Sequence, residues 1–233
     1  MKPTAYTNGK VLHAGQIRED LTVVIHEGRI DRVLDSEQEL SPEVTRKDLD
    51  GNFLLPGFID VQVNGGGGML FNKQTSVAVI RAIASAHRSF GTTGLLPTLI
   101  SDDLDVVDRG LTAVEEAIRV GVPGILGIHI EGPFLNVERK GVHDASKIQQ
   151  LTEGILSSLT PLPNGVTVIT VAPETVEPGM ISKLVEKGFI VCAGHTNATQ
   201  AQVKRALERG LRGFTHLYNS MSQLTAREAG VVG

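Results

Sequence analysis

From Gly57 onward the chain alternates short apolar runs with stretches whose apolar residues recur at helical spacing, and nothing else in the sequence restricts the fold as strongly. The apolar runs fall at residues 58–63, 94–100, 124–131, 166–172, 189–194 and 213–216. Helical periodicity occupies residues 76–89, 104–120, 148–158, 179–187 and 198–209. A strand that continues through a helix into the next strand must pair with it in parallel, because the crossover returns the chain to the same end of the sheet. An α/β sheet covered by helices is therefore expected. A closed (β/α)8 barrel and an open doubly wound sheet both fit this rhythm. Polar side chains close several different strands, which favours the barrel, since an open sheet concentrates its chemistry where the strand order reverses.

The segment before Gly57 reads differently. Residues 21–26 (LTVVIH), the pair Glu27-Gly28 and residues 29–34 (RIDRVL) make a hairpin pattern, an apolar strand meeting a glycine turn and resuming with alternation. Residues 35–48 are polar and read as a surface connection, and residues 52–55 as a short strand stopped by Pro56-Gly57. The expected organisation is a small N-terminal β layer over 1–56, part of a β-sandwich, and a partial barrel over 57–233 that carries the site. Only 17 residues follow His216. That is too few for two more βα units, so about six of the eight barrel strands are expected, as in a C-terminally truncated chain.

With 233 residues, 41% of them hydrophobic, the chain can bury a sizeable core. Its formal charge of -4 arises from interspersed acids and bases, which leaves no basic stripe for nucleic acid and no polybasic membrane anchor. No apolar run approaches the roughly 20 residues of a bilayer span, and the N-terminus lacks the apolar stretch of a signal peptide. A cytoplasmic location is expected. The single cysteine, Cys192, excludes an internal disulfide, fits a reducing compartment and reads as a packing residue within an apolar strand.

Three apolar runs lead to side chains able to bind a metal: Glu131 closes ILGIHIE, His195 closes FIVCAGH and His216 closes GFTH. Parallel strands gather such end residues at one point. One carboxylate and two imidazoles form the ligand set of a catalytic divalent ion with positions left for water. Singly, each residue has a plainer reading, a solvated strand-end glutamate or a hydrogen-bonded rim histidine, and it is their equivalent placement that favours the joint one. Asp60, Gln62 and Asn64 alternate on one face of the first barrel strand. Amides are poor ligands, so the site reads as mononuclear, with Gln62 at most a weak or water-mediated contact. Residues 65–68 (GGGG) lack the lysine and spacing of a phosphate loop and read as a flexible rim turn. Asn197 or Thr199 is positioned to cap the helix that follows. His143, Asn219 and Arg227 fall on loops beyond strand ends, and the guanidinium of Arg227 offers a fixed fork of donors to an oxyanion. His87 and His129 read as structural, His129 lying deeper in the strand of Glu131 and able to support the ligands from behind.

The segments LLPGFIDVQVNGGGG, LPTLIS, GIHIEGPFLN with KGVHD, VAPE, CAGHTNAT and THLYNSMSQLTAREAGVVG carry a close resemblance to the N-acetylglucosamine-6-phosphate deacetylase family of the amidohydrolase superfamily. The resemblance implies that Glu131, His195 and His216 hold one divalent metal, zinc first, with iron, manganese and cobalt also compatible. It implies that Val142, His143, Asn219, Ser220 and Arg227 contact a sugar phosphate, and that Gln62 with Asn64 marks the single-metal branch. His143 would orient the substrate or stabilise its oxyanion. The implied reaction is hydrolysis of the acetamide of N-acetylglucosamine 6-phosphate to glucosamine 6-phosphate and acetate, in amino-sugar catabolism, by an enzyme commonly homo-oligomeric. The N-acetylgalactosamine 6-phosphate epimer is the alternative substrate. In that family an aspartate at the end of the eighth strand is the general acid/base, a further histidine lies near the seventh, and the C-terminus completes the small β domain. All of these fall beyond Gly233. A third reading follows, a remnant that binds metal with little or no deacetylase activity.

Overall fold

The computed structural model describes residues 2–36 and 38–233; Met1 and Glu37, both within the expected N-terminal β layer, lie outside the described residues. The chain divides into two compact units, Met1–Gly57 and Phe58–Gly233.

The first unit is all β. Its strands are β1 (Thr4–Thr7), β2 (Lys10–His13), β3 (Gln16–Arg18), β4 (Leu21–His26), β5 (Arg29–Asp35), β6 (Thr45–Asp48) and β7 (Phe53–Leu54). They form a four-stranded sheet in the order β5-β4-β1-β6 and a three-stranded sheet in the order β3-β2-β7. The expected hairpin is β4–β5, turning through Glu27 at φ 49 and Gly28 at φ 75. Val11, Leu21 and Val23 make a small core, with Ile25 and Leu54 packed against it. The connection expected over 35–48 contains β6, which pairs in parallel with β1. Its residues TRKD are all exposed, so neither alternation nor hydrophobicity announces it, and it is held by backbone pairing.

The second unit begins with β8 (Phe58–Val63), followed by a two-stranded hairpin of β9 (Gly65–Gly66) and β10 (Met69–Leu70). The glycine run is thus an ordered hairpin where a flexible turn was expected. The Gly65 carbonyl accepts from His87 Nε2 at 3.0 Å, and Phe71, fully buried, closes it with a backbone bond to Asn64. Then come α1 (Val77–Arg88), β11 (Thr92–Ile100), α2 (Leu104–Arg119), β12 (Gly127–Glu131), α3 (Glu153–Ser158), β13 (Val166–Val171), α4 (Pro178–Glu186), β14 (Ile190–Ala193), α5 (Gln200–Glu208) and β15 (Gly213–Phe214).

Six strands, all parallel, lie in the order β15-β14-β13-β12-β11-β8. Their order in the sheet is their order in sequence, without reversal. A doubly wound sheet needs a reversal, so this is the partial barrel of the metal-hydrolase type. Among the described residues β8 and β15 are its two edges, and β8 leaves Phe58, Ile59 and Val61 exposed.

Alternation separates the two faces of each strand. In β12, Ile128 and Ile130 join Val107, Leu111 and Val114 of α2 in the main core, while Gly127, His129 and Glu131 take the opposite face. The helices are set by local chemistry. Ser76 caps α1 by accepting from Val79, Pro178 opens α4, and Thr199 with Gln202 forms a capping box on α5. No helix among the described residues is long and apolar enough to cross a membrane.

Three departures from the periodicity have a local cause. The helix expected over 148–158 is helical only from Glu153, because the Gln149 N–H bonds the Pro133 carbonyl and Thr152 caps the helix at Ile155. The strand expected from residue 124 starts at Gly127, since Gly124 at φ 83 bends the backbone there. His216 lies two residues past β15, in a turn at φ 55.

Candidate metal centre

Glu131 is the last residue of β12 and is followed by a Gly132-Pro133 pair that ends the extended backbone. Its carboxylate is almost fully buried, at 2% exposure, and two imidazoles meet it. His195 Nε2 lies 3.0 Å and His216 Nε2 2.6 Å from Glu131 Oε1. The candidate ligand atoms of the three all fall within 4.8 Å of one another. Both histidines adopt the left-handed backbone region, His195 at φ 48 and His216 at φ 55. That conformation costs a non-glycine residue of order 1–3 kcal/mol and persists only where surrounding contacts impose it.

Protons report whether this donor set suits a metal. His195 Nδ1 donates to the Arg139 carbonyl at 2.8 Å, so the ring turns Nε2 toward the carboxylate oxygen. A nitrogen lone pair facing a carboxylate oxygen repels it unless a cation joins them, and such a nitrogen oriented by a carbonyl behind it is the usual arrangement of a metal-binding histidine. In the metal-free chain a proton takes that place at His216, whose pKa is raised by its hydrogen bond to Glu131. Burial pushes Glu131 upward, but its contacts with the His195 and His216 imidazoles outweigh it and hold the group well below the usual carboxylate range. Glu131 is an anion at neutral pH. The residues fit a single divalent ion.

Gln62 reaches the same point from β8: its Nε2 donates to Glu131 Oε2 at 2.7 Å and lies 3.3 Å from His216 Nε2. Asp60, two residues back, accepts from the Gln62 backbone N–H. His143 stacks edge-on to His195 with ring centroids 4.5 Å apart, and burial followed by the charge of His195 pushes its pKa down to about 4. Gln62, Asn64, Leu70, Asn72, Ile100, Val142 and His143 line, with the three ligands, a cavity of about 280 Å³. Its walls are polar on the β8 and β12 side and apolar at Leu70, Ile100 and Val142.

Asn219, Ser220 and Arg227 are not among the residues lining that cavity. They lie on the loop after β15, where Asn219 and Arg227 are exposed and the Ser220 carbonyl accepts from the Thr196 N–H. Beneath the cavity His129 belongs to the structure. Thr215 and Thr170 hydroxyls are 2.7 Å apart, Thr170 is 2.7 Å from His129 Nε2, and His129 Nδ1 donates to the Val61 carbonyl. Burial holds the His129 pKa down at about 4, so it stays neutral behind Glu131.

Glu174, at the end of the VAPE segment, went unassigned in the sequence. Its carboxylate accepts from Asn136 Nδ2 at 2.8 Å, from the Asn197 N–H and from the Thr196 hydroxyl. Asn136 also donates its backbone N–H to the His195 carbonyl. One side chain after β13 thus ties the loops after β12 and β14, and the strand-end rule that singled out Glu131 applies equally to it.

A model of the amidohydrolase family matches residues 53–232. The N-acetylgalactosamine-6-phosphate deacetylase of Shewanella sp. (strain ANA-3) is 43% identical over 225 residues, 96% of this chain and 57% of the relative. The N-acetylglucosamine-6-phosphate deacetylase of Haemophilus influenzae is 36% identical over 218 residues, 93% of this chain and again 57% of the relative. The crystal structure of N-acetylglucosamine-6-phosphate deacetylase from Pasteurella multocida superposes with a TM-score of 0.93 at 34% identity, covering 99% of this chain and 61% of that one. The chain therefore spans a little under two thirds of the length of these relatives. With the sequential parallel sheet, the strand-end donor set and a family match across nearly all of the second unit, the chain belongs to the amidohydrolase family.

Proposed function

We propose that this chain carries the metal-holding and substrate-holding face of a hydrolase that removes the acetyl group of N-acetylglucosamine 6-phosphate, giving glucosamine 6-phosphate and acetate. The observation that carries the reading is the convergence of Glu131 Oε1 with the Nε2 atoms of His195 and His216 at the floor of a cavity of about 280 Å³. A divalent ion in that cluster supplies Lewis acidity toward an amide carbonyl and toward water at neutral pH. Zinc is our first choice among ions that accept one carboxylate and two imidazoles, ahead of iron, manganese and cobalt.

The chain's own groups set the rest. Glu131 remains anionic, and Gln62 holds its second oxygen, so the carboxylate cannot rotate away. His143 presents an imidazole to the cavity, and Val142 forms part of its apolar wall. Arg227, with Asn219 and Ser220, supplies donors for the sugar phosphate from the loop after β15. No aspartate follows His216 within these 233 residues, so the leaving amine receives no proton from an aspartate of that stretch. The reading also takes the protein as cytoplasmic with no nucleic-acid or membrane partner, in keeping with its single cysteine and dispersed charge, and takes the complete enzyme as a homo-oligomer.

A second reading exchanges the sugar for its galacto epimer. It is favoured by the 43% identity to the Shewanella relative against 36% to the Haemophilus one. The test is calorimetric titration of the chain with zinc, then of the zinc-loaded chain with each N-acetylhexosamine 6-phosphate, alongside acetate release from both. One zinc per chain and zinc-dependent binding of one epimer are expected. Absence of zinc binding together with no affinity for either sugar phosphate would overturn the proposal.

A further inference from the structure

The proton on His143 is assigned by a residue not yet given a role. His143 Nδ1 lies 3.1 Å from the backbone nitrogen of Ser101 and 2.8 Å from its hydroxyl oxygen. A backbone N–H can only donate, so Nδ1 must offer its lone pair, and the hydroxyl then donates to it as well. A ring whose Nδ1 accepts carries its proton on Nε2. Both residues are buried, Ser101 at 5% and His143 at 2% exposure, so water does not compete for these bonds. The hydroxyl is also confined, because a Cβ built on the facing Gly132 would come within 2.3 Å of it.

The other side of the ring is free for a ligand. Among the described residues Nε2 has no hydrogen-bond partner, and it is not one of the buried unpartnered atoms, while the ring lines the cavity with Glu131, His195 and His216. Ser101 directly follows β11, and Ile100, the strand's last residue, lines the same cavity. The end of β11 therefore orients a side chain that arrives from the loop after β12.

We infer that Ser101 is a positioning residue that locks His143 as the Nε2–H tautomer, so that the substrate contact the family resemblance implies for His143 is made by a hydrogen-bond donor and not by a base. The part about substrate rests on the proposed deacetylase reading; the tautomer does not. Nothing is transferred at His143: the Nε2–H bond stays intact and the oxygen it faces keeps its own substituents.

The test uses the 233-residue chain labelled with ¹⁵N at histidine, with the His143 resonances identified by their loss in His143→Gln. Long-range nitrogen–proton correlation is expected to show an unprotonated Nδ1 and a protonated Nε2. A protonated Nδ1, or an averaged pair, would overturn the assignment. Ser101→Ala keeps the backbone donor and removes the hydroxyl, so partial averaging is expected, with Ser101→Thr restoring the locked pattern. An alanine spectrum identical to that of the parent would remove the Ser101 hydroxyl from the role. With N-acetylglucosamine 6-phosphate and its galacto epimer as probes, His143→Gln, whose amide can still donate near the Nε2 position, is expected to bind nearly as the parent does. His143→Leu is expected to bind about 2- to 10-fold more weakly, the range of one net hydrogen bond. Equal weakening in both would overturn the donor role. Should the parent bind neither sugar phosphate, the deacetylase reading falls while the tautomer measurement still decides the lock.

Discussion

Glu174→Ala is the substitution that best tests how this site is held. The half-buried carboxylate divides its acceptors unequally: Oε1 takes Asn136 Nδ2 and the Asn197 N–H, and Oε2 takes the Thr196 hydroxyl. A hydrogen bond to a charged acceptor contributes roughly 1.5–3 kcal/mol net. Asn136 and Asn197 are only half-buried, so water can replace most of their share, whereas Thr196 is fully buried and loses its acceptor outright. The expected loss is about 2–4 kcal/mol, a fall in Tm of about 5–15 °C for a unit of this size. The same bonds hold the loop bearing His195, whose carbonyl is gripped by Asn136, so zinc affinity is expected to fall about 10- to 100-fold. Glu174→Gln should cost about half as much stability, because its carbonyl can keep both Oε1 bonds. Thermal unfolding and calorimetric zinc titration, the latter at a temperature where every variant is folded, supply the two readouts. An alanine variant with unchanged zinc affinity would refute the positioning argument, and one with unchanged Tm as well would refute the packing argument beneath it.

Other outcomes follow from single contacts. Zinc at 100 times its dissociation constant is expected to stabilise the chain by about 2.7 kcal/mol, and His195→Ala should abolish that gain in a melting experiment with and without chelator. Gly127→Ala should cost at least about 1–3 kcal/mol, because its Cβ would sit 1.9 Å from the Val166 carbonyl oxygen, a backbone atom that cannot move without parting β12 from β13. An unchanged urea midpoint would contradict that clash. Burial pushes the Cys192 thiol up to about 11. Only ~0.1% of it is thiolate at pH 8, so maleimide labelling of the folded chain should be far slower than of the urea-unfolded chain, and equal rates would show that folding does not shield this half-buried thiol.

The β-α rhythm after Gly57 was readable because it is a local property: alternation and 3.6-residue periodicity depend on which face each side chain takes, and that is written in spacing alone. Hence β8 appears where the pattern put it, and α1, α2, α4 and α5 lie within a residue or two of their expected spans. The first unit was less legible. β6 has no apolar residue, and the strands β1–β3 are too short to show a period, so only pairing with partners far along the chain makes them strands.

At the candidate site, parallel order allowed Glu131, His195 and His216 to be grouped from their strand-end positions. Residue spacing along one chain could not reveal which atoms face one another. The 2.6 Å approach of His216 to Glu131, the left-handed backbone at both histidines and the junction of three loops on Glu174 are products of packing between segments separated by tens of residues. The protonation of His143 is of the same kind, set by a backbone N–H that every residue except proline carries and that no sequence pattern marks. Sequence by itself determined the parallel sheet, its helical cover and the residue types gathered at its rim, because periodicity and strand direction are local. Tertiary structure alone decided which of those groups meet, at what distance and in which protonation state, because hydrogen-bond partners and desolvation come from neighbours that the chain brings together only on folding.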